Sequence, residues 1–171
     1  MWRALPICGR RRTVSGETTR LIDLRDSSVP AEAVIEALAL QPHPEGGHFR
    51  ETWRDVPTGG QRGVGTAILF LLRESQRSHW HRVDAAELWV WQAGAALLLE
   101  IDAHAKHRLG PVLGAGETLQ QLVPRGCWQS AHSLGRWTLC SCIVAPAFSF
   151  DGFELAPPDW HPALSGEFHS P

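Results

Sequence analysis

The sequence predicts an all-β sandwich or barrel preceded by one short helix. Short apolar or alternating segments recur along most of the 171 residues and have the length and period of β-strands. Turns that contain glycine, proline or aspartate separate these segments at steady intervals, as in antiparallel sandwiches and barrels. A helical pattern of apolar residues occurs once, near the N-terminal end, and then disappears.

The helix is predicted over residues 30–40. Ser28 is suited to be its N-cap, and Pro30 suits the first turn, where a missing backbone N–H is tolerated. The segment QPHPEGG at 41–47 ends the helix, because two prolines and two glycines in seven residues favour a turn. The apolar stripe that would pack against the rest of the protein consists of Val34, Ile35 and Leu38.

Eight strands are predicted after the helix. Turns such as those at 55–63, 113–116 and 124–126 separate them. The expected strands are 48–53, 65–72, 79–81, 87–91, 95–101, 118–123, 129–131 and 137–144.

Both ends of the chain differ from this central part. Residues 1–20 hold five Arg and one acidic residue, a composition compatible with a mitochondrial transit peptide and also with an ordinary unstructured leader. We therefore assign residues 1–29 to an unstructured or targeting leader, 30–160 to a single domain and 161–171 to a C-terminal tail.

The composition excludes several classes of partner. Sixteen basic and 18 acidic residues create no field that would recruit nucleic acid or an anionic membrane. No apolar run approaches the roughly 20 residues needed to cross a bilayer. We expect a soluble intracellular protein, cytoplasmic, or mitochondrial if the leader is a targeting sequence.

The segment SHWHRVDAAELWVWQAG, residues 78–94, carries the strongest functional signal. His79 and His81 are two residues apart, so both imidazoles should lie on one face of an extended strand. Glu87 could join them from the adjacent strand. Two imidazoles and a carboxylate suit a metal site with open positions, and equally a metal-free general base and its partner. Histidines that merely line a core are the alternative interpretation.

The block HPEGGHFRET contributes a second set of candidates. Its paired glycines permit backbone conformations or close approach that a side chain would block. Glu45 and Glu51 are candidates for proton transfer. Arg50 could bind a carboxylate or phosphate through two parallel hydrogen bonds. A surface strand with an Arg–Glu pair would explain Arg50 and Glu51 equally well.

Tryptophans are candidates for substrate binding. Trp89 and Trp91 should share a strand face with Glu87, where they would form an aromatic wall suited to a sugar or a ring. Trp128 has the same potential, and Gln129, which follows it, is a further candidate for substrate binding. Core packing explains all three tryptophans equally well.

Four blocks together are similar to the cupin-5 family, also called DUF985, and cover roughly residues 36–156. The resemblance implies a double-stranded β-helix, or cupin jelly roll, which is often dimeric and has its pocket inside the barrel. We therefore expect a small-molecule ligand and a homodimer. The blocks are HPEGGHFRETWR (43–54), SHWHRVDAAELW (78–89), LVPRGCWQSA (122–131) and CIVAPAFSFDGFEL (142–155).

Two general cupin motifs can be matched to this chain, with one important departure. The first motif matches His79, His81, Glu87 and Gly94, although the gap between His81 and Glu87 is longer than usual. In the second motif, Gln129 stands where the superfamily has its last metal-binding His. The resemblance thus implies a metal set of His79, His81, Glu87 and Gln129 that would hold one divalent transition metal weakly, because an amide oxygen is a poorer ligand than imidazole.

Three functions remain open at this point. The first is a metal-free or weakly metal-dependent isomerase or epimerase acting on a sugar-like or other polar small molecule. His81 would be its base, Glu87 would orient the base or act as an acid, and Arg50 would bind an anionic end. The second is an oxygenase-type cupin dependent on Fe, Mn or Zn. The third is a cupin that binds a ligand without turnover.

Overall fold

Two antiparallel sheets form the protein in the computed structural model, which describes residues 21–102 and 105–162. This architecture confirms the predicted all-β class with a short N-terminal helix. The elements in chain order are α1 (Ala31–Ala37), β1 (Gln41–Pro42), β2 (His48–Arg54), β3 (Thr66–Arg73), β4 (Arg77–Val83), β5 (Ala86–Gly94), β6 (Leu97–Ile101), β7 (Ala105–Leu109), β8 (Gln120–Val123), β9 (Gln129–Ser133), β10 (Trp137–Ala145) and β11 (Phe153–Leu155), with short 3-10 helices at Leu113–Ala115 and Phe150–Gly152.

The core lies between the two sheets. One sheet has the order β1-β2-β3-β10-β5-β8, and the other has the order β11-β4-β9-β6-β7. Phe70 and Leu72 of β3 pack into the interior with Trp89 of β5. Leu71 lies on the opposite face of β3, where Val34 of α1 packs against it. The helix therefore covers the outer face of the six-stranded sheet, as alternation along β3 requires.

The predicted helix exists, but its beginning was predicted wrongly. The N-cap is Pro30, with no side-chain capping bond, and not Ser28. The backbone N–H of Ser28 instead donates to Asp26 Oδ1 at 2.8 Å. The last turn ends early because Ala39 adopts a positive φ of 51°. The predicted apolar stripe packs as expected in the outer cluster.

Each of the eight predicted strands is confirmed, with bounds shifted by a few residues. Three strands were not predicted, namely β1, β7 and β11. The sequence of β7, AKHRL, lacks apolar alternation because it lies at a sheet edge and buries only Leu109. The strand β11 has three residues, and its existence depends on pairing with β4, far away in the sequence.

The ends of the chain are described only in part. Residues 1–20 of the proposed leader and 163–171 of the proposed tail lie outside the described residues, as do 103 and 104. Leu24 and Val29 pack on the outer cluster, so the packed part of the chain begins ahead of Pro30. Within the described ranges, no helix has the length and apolar character needed to cross a membrane.

Candidate active site

A cavity of about 90 Å³ opens between the two sheets and has acidic and imidazole groups beside apolar walls. Both sheets and two loops contribute to it. Its lining residues are His43, Glu45, Phe49, Glu51, Arg54, Thr66, Ile68, His81, Val83, Glu87, Cys142, Val144, Phe148, Phe150 and Phe153.

The turn that precedes β2 brings Glu45 to this cavity. Gly46 has a φ of 106°, and Gly47 has a φ of 73°. A Cβ atom on Gly46 would overlap the carbonyl oxygen of Arg77, so only glycine lets the turn approach β4 so closely. The backbone N–H of His79 donates to the carbonyl of Glu45 at 2.8 Å, which joins the turn to that strand. The predicted need for paired glycines is confirmed here.

Glu45 is buried and contacts three polar side chains. Its Oε1 accepts a hydrogen bond from Ser78 Oγ at 2.9 Å. Its Oε2 lies 3.3 Å from His81 Nε2 and 3.6 Å from His43 Nδ1. Burial raises the pKa of Glu45 to about 7, since desolvation disfavours the charged carboxylate. Glu45 can therefore hold or release a proton near neutral pH.

The tautomer of His81 follows from its contacts. Its Nδ1 lies 2.8 Å from the carbonyl oxygen of His79, which can only accept, so Nδ1 carries the hydrogen. In the neutral ring, Nε2 is then unprotonated and directed at Glu45 Oε2. Burial lowers the pKa of His81, because the imidazolium would lose its hydration. Oε2 therefore donates to Nε2 while Glu45 is protonated, and Nε2 has a free lone pair once Glu45 is ionised.

Glu87 is positioned by a buried chain of hydrogen bonds. The indole N–H of Trp89 can only donate, and it lies 2.8 Å from Gln129 Oε1. This contact fixes the orientation of the amide, so Gln129 Nε2 donates to Glu87 Oε2 at 2.6 Å. Burial raises the pKa of Glu87, while the neighbouring His81 opposes that effect.

The residues of the expected metal site do not come together. His79 lies off the cavity wall, and its Nε2 is 2.9 Å from the carbonyl oxygen of Pro157. Gln129 uses its amide oxygen for Trp89, so that oxygen points away from Glu87. Among the described residues, no group of three or more His, Cys, Asp or Glu is arranged to hold a metal ion. The set His79, His81, Glu87 and Gln129 therefore does not fit the metal that the superfamily implies.

A bulge in β2 changes which basic residue reaches the cavity. The pairing of β2 with β3 shifts register between Glu51 and Trp53. Arg54 consequently lies on the same side as Glu51, with Nη2 2.6 Å from Glu51 Oε2, and both side chains line the cavity mouth. Arg50 is exposed and does not belong to the lining. The predicted anion-binding role of Arg50 is wrong for this cavity.

The three candidate tryptophans do not line the cavity, and the prediction that they form its wall is wrong. Trp89 is buried in the core, and Trp91 packs against that core while its indole donates to the carbonyl of Ala95 at 3.0 Å. Trp128 packs against Trp160, with ring centroids 4.3 Å apart and ring planes tilted by 40°, away from the cavity.

Phenylalanines supply the aromatic wall in their place. Phe148, Phe150 and Phe153 come from the block that closes the family resemblance, where alternate aromatic residues were the available signal. His43 and Ser78 were also missed, although both occur within quoted blocks. The contact between Ser78 and Glu45 depends on a register shift in β4 between Ser78 and His81.

The two sheets and the cavity between them define a double-stranded β-helix of the cupin type. The chain belongs to the Cupin_5 family of the cupin superfamily (DUF985), whose conserved pattern matches residues 32–156. The resemblance stated from the sequence is confirmed. A comparison with curated proteins found no significant match.

Solved structures support the same fold. A protein from Shewanella oneidensis is 36% identical, with a TM-score of 0.71 over 75% of this chain and 85% of that one. A hypothetical protein from Leishmania major is 30% identical, with a TM-score of 0.69 over 75% and 88%. A Klebsiella pneumoniae protein with a double-stranded β-helix domain is 11% identical, with a TM-score of 0.53 over 81% and 98%. At that identity, the likeness concerns the fold alone.

Proposed function

We propose that the cavity catalyses proton transfer on a small polar molecule, as an isomerase or epimerase does, with no metal. The contact of 3.3 Å between His81 Nε2 and Glu45 Oε2 inside the cavity carries this proposal. A general base needs an unprotonated nitrogen within reach of the substrate, and the hydrogen on Nδ1 leaves Nε2 in that state when Glu45 is ionised.

In the proposed reaction, His81 and Glu87 each transfer one proton. His81 Nε2 accepts a proton from a carbon next to a carbonyl, and the electron pair of that C–H bond stays on the substrate. Glu45 stabilises the imidazolium that forms, and His81 returns the proton to the same or a neighbouring carbon. In an epimerisation, His81 keeps the proton that it removed, and Glu87, held by Gln129 and protonated at the start, donates its own proton to the opposite face of the same carbon.

Exchange of deuterium from solvent tests this proposal. Small hydroxy ketones, keto acids, sugars and sugar nucleotides are incubated with the protein in D₂O, and label in carbon-bound positions is read by NMR. We expect incorporation into at least one class. The substitution His81→Asn should slow it about 10²-fold or more, whereas His107→Asn in β7, outside the cavity, should leave it unchanged. No exchange across the panel with folded protein would contradict the proposal.

A cupin that only binds its ligand is the second candidate. It is supported by the mostly apolar lining, because an aromatic cavity can hold a ligand without any chemistry. This function predicts saturable binding that survives His81→Ala, together with no exchange in the native protein. Loss of binding with His81→Ala and exchange by the native protein would reject it.

A further inference from the structure

Three phenylalanines enclose the mouth of the cavity from different directions. The ring centroids of Phe148 and Phe150 are 5.0 Å apart, those of Phe148 and Phe153 are 5.8 Å apart, and those of Phe150 and Phe153 are 6.1 Å apart. The interplanar angles are 83°, 65° and 80°. These edge-to-face contacts join the rings into one aromatic cluster, in which Phe150 keeps the most exposed surface. Phe49 adds a fourth ring to the lining.

Phe150 is 62% exposed although it lines the cavity. A large aromatic side chain at a cavity mouth keeps apolar surface in contact with water until a ligand covers it. This arrangement therefore favours an occupant that buries the ring.

The charges inside the cavity are predominantly acidic. Arg54 is the only Arg or Lys among the described lining residues, and its guanidinium is paired with Glu51 at the mouth. Glu45 and Glu87 lie deeper and are 8% and 7% exposed. Burial lowers the pKa of both lining imidazoles, so these rings do not supply a stable positive charge. The interior therefore holds two carboxyl groups whose pKa is raised by burial, and a bound cation would favour their ionised form.

Aromatic faces and carboxylates attract the same kind of ligand. The face of an aromatic ring carries partial negative charge and binds ammonium groups within about 6 Å of its centroid. A buried carboxylate gains most from a partner of opposite charge, since water no longer solvates it. An anionic ligand would instead meet Glu45 and Glu87 at short range.

We infer that the ligand of this cavity is a small organic cation, a primary or quaternary amine that lies between the phenylalanines and the two carboxyl groups. Its positive group would be held by Glu45, Glu87 and the aromatic faces. This inference names the ligand class for the site of the proposed function and rests on that cavity being the binding site.

Matched ligand pairs test the inference by calorimetry on the full chain. Choline is compared with 3,3-dimethylbutan-1-ol, which has the same shape without the charge. 3-Methylbutylamine is compared with 3-methylbutan-1-ol in the same way. We expect the cation of at least one pair to bind about tenfold more tightly than its neutral partner. Equal or weaker binding of both cations would overturn the inference, and so would tighter binding of 3,3-dimethylbutanoate.

Two substitutions separate charge recognition from shape. Glu87→Gln should reduce the preference for the cation to less than about threefold, whereas Glu154→Gln, outside the cavity and paired with Arg82, should leave it unchanged. Phe150→Leu is exposed enough to preserve the fold, and it should weaken the cation about fivefold while the neutral partner changes less than twofold. Equal losses for both partners would show that shape alone governs binding.

The outcomes of this test differ from those of deuterium exchange. Cation-selective binding without any exchange would support the inference and contradict the proposed function. Exchange on neutral carbonyl compounds without a preference for cations would support the proposed function and contradict the inference.

Discussion

Glu45 makes the contacts that join the loop before β2 to the imidazole of β4. A prediction on pH follows from its pKa, which burial raises to about 7 from an ordinary value of 4.5. Between these values the folded protein holds a proton that the unfolded chain has released. The free energy of unfolding therefore falls as pH rises through this window, and the contribution of Glu45 is fully present only below it.

Glu45→Gln removes this titration while it preserves the shape and the hydrogen bond from Ser78. We expect urea denaturation to show the variant gaining stability relative to the native protein between pH 5 and pH 8, by up to about 3 kcal/mol. Because His81 and His43 contact Glu45, the difference reports the titration of this coupled group. Parallel stability curves over this range would show that Glu45 does not titrate as described.

Gln129 satisfies two buried groups at once, the indole of Trp89 and the carboxyl of Glu87. Gln129→Met keeps similar volume but leaves both without their partner. We expect the free energy of unfolding, measured by urea denaturation, to fall by roughly 1–3 kcal/mol for each group. Gln92→Met is the control, because Gln92 is exposed and bonds only Ser141 in β10 among the described contacts. A change of less than about 0.5 kcal/mol is expected there.

At the scale of elements, the turn before β2 depends on close approach as well as on positive φ. Gly46→Ala places a methyl group against the carbonyl of Arg77, whereas Gly116→Ala has a similar positive φ and open space. Both variants should lose stability, and Gly46→Ala should lose at least about 2 kcal/mol more. Equal thermal denaturation midpoints for the two variants would mean that backbone conformation alone explains the glycine at 46.

The strands were predictable from their length and bounding turns, but their irregularities were not. The run TAILFLLR in β3 is apolar almost throughout, so a buried strand could be predicted there, but not which residues face the core. The bulge in β2 places Arg54 at the cavity where regular alternation would not, and it is defined only by the pairing of β2 with β3. The same reason applies to His79, whose partner Pro157 lies far along the chain. Contacts over long sequence separations determine these side-chain directions, and a single sequence does not contain that information.

The candidate site was predictable in its residue types and only partly in its geometry. His81, Glu87, Glu45 and Glu51 were named from short motifs, and the cavity contains all four. The aromatic wall was assigned to tryptophans because Trp89 adjoins Glu87 in the strand pattern. Trp89 packs in the core instead, and the phenylalanines reach the cavity through the loop after β10.

At the scale of the whole molecule, the homodimer remains a prediction from the family resemblance. Light scattering after size-exclusion chromatography should give about twice the chain mass of 18.9 kDa. The mass of a single chain at micromolar concentration would contradict it. The intracellular location likewise remains a prediction, to be checked by fractionation of the source cells.

The fluorescence of the buried Trp89 can report on the charge of the Glu87 carboxyl. Only the amide of Gln129 separates this buried ring from the Glu87 carboxyl. We expect gain or loss of charge on that carboxyl to shift the emission maximum of Trp89 through the shared amide. Occupancy of the cavity can thus be followed by fluorescence, with the Trp89→Phe variant identifying the signal.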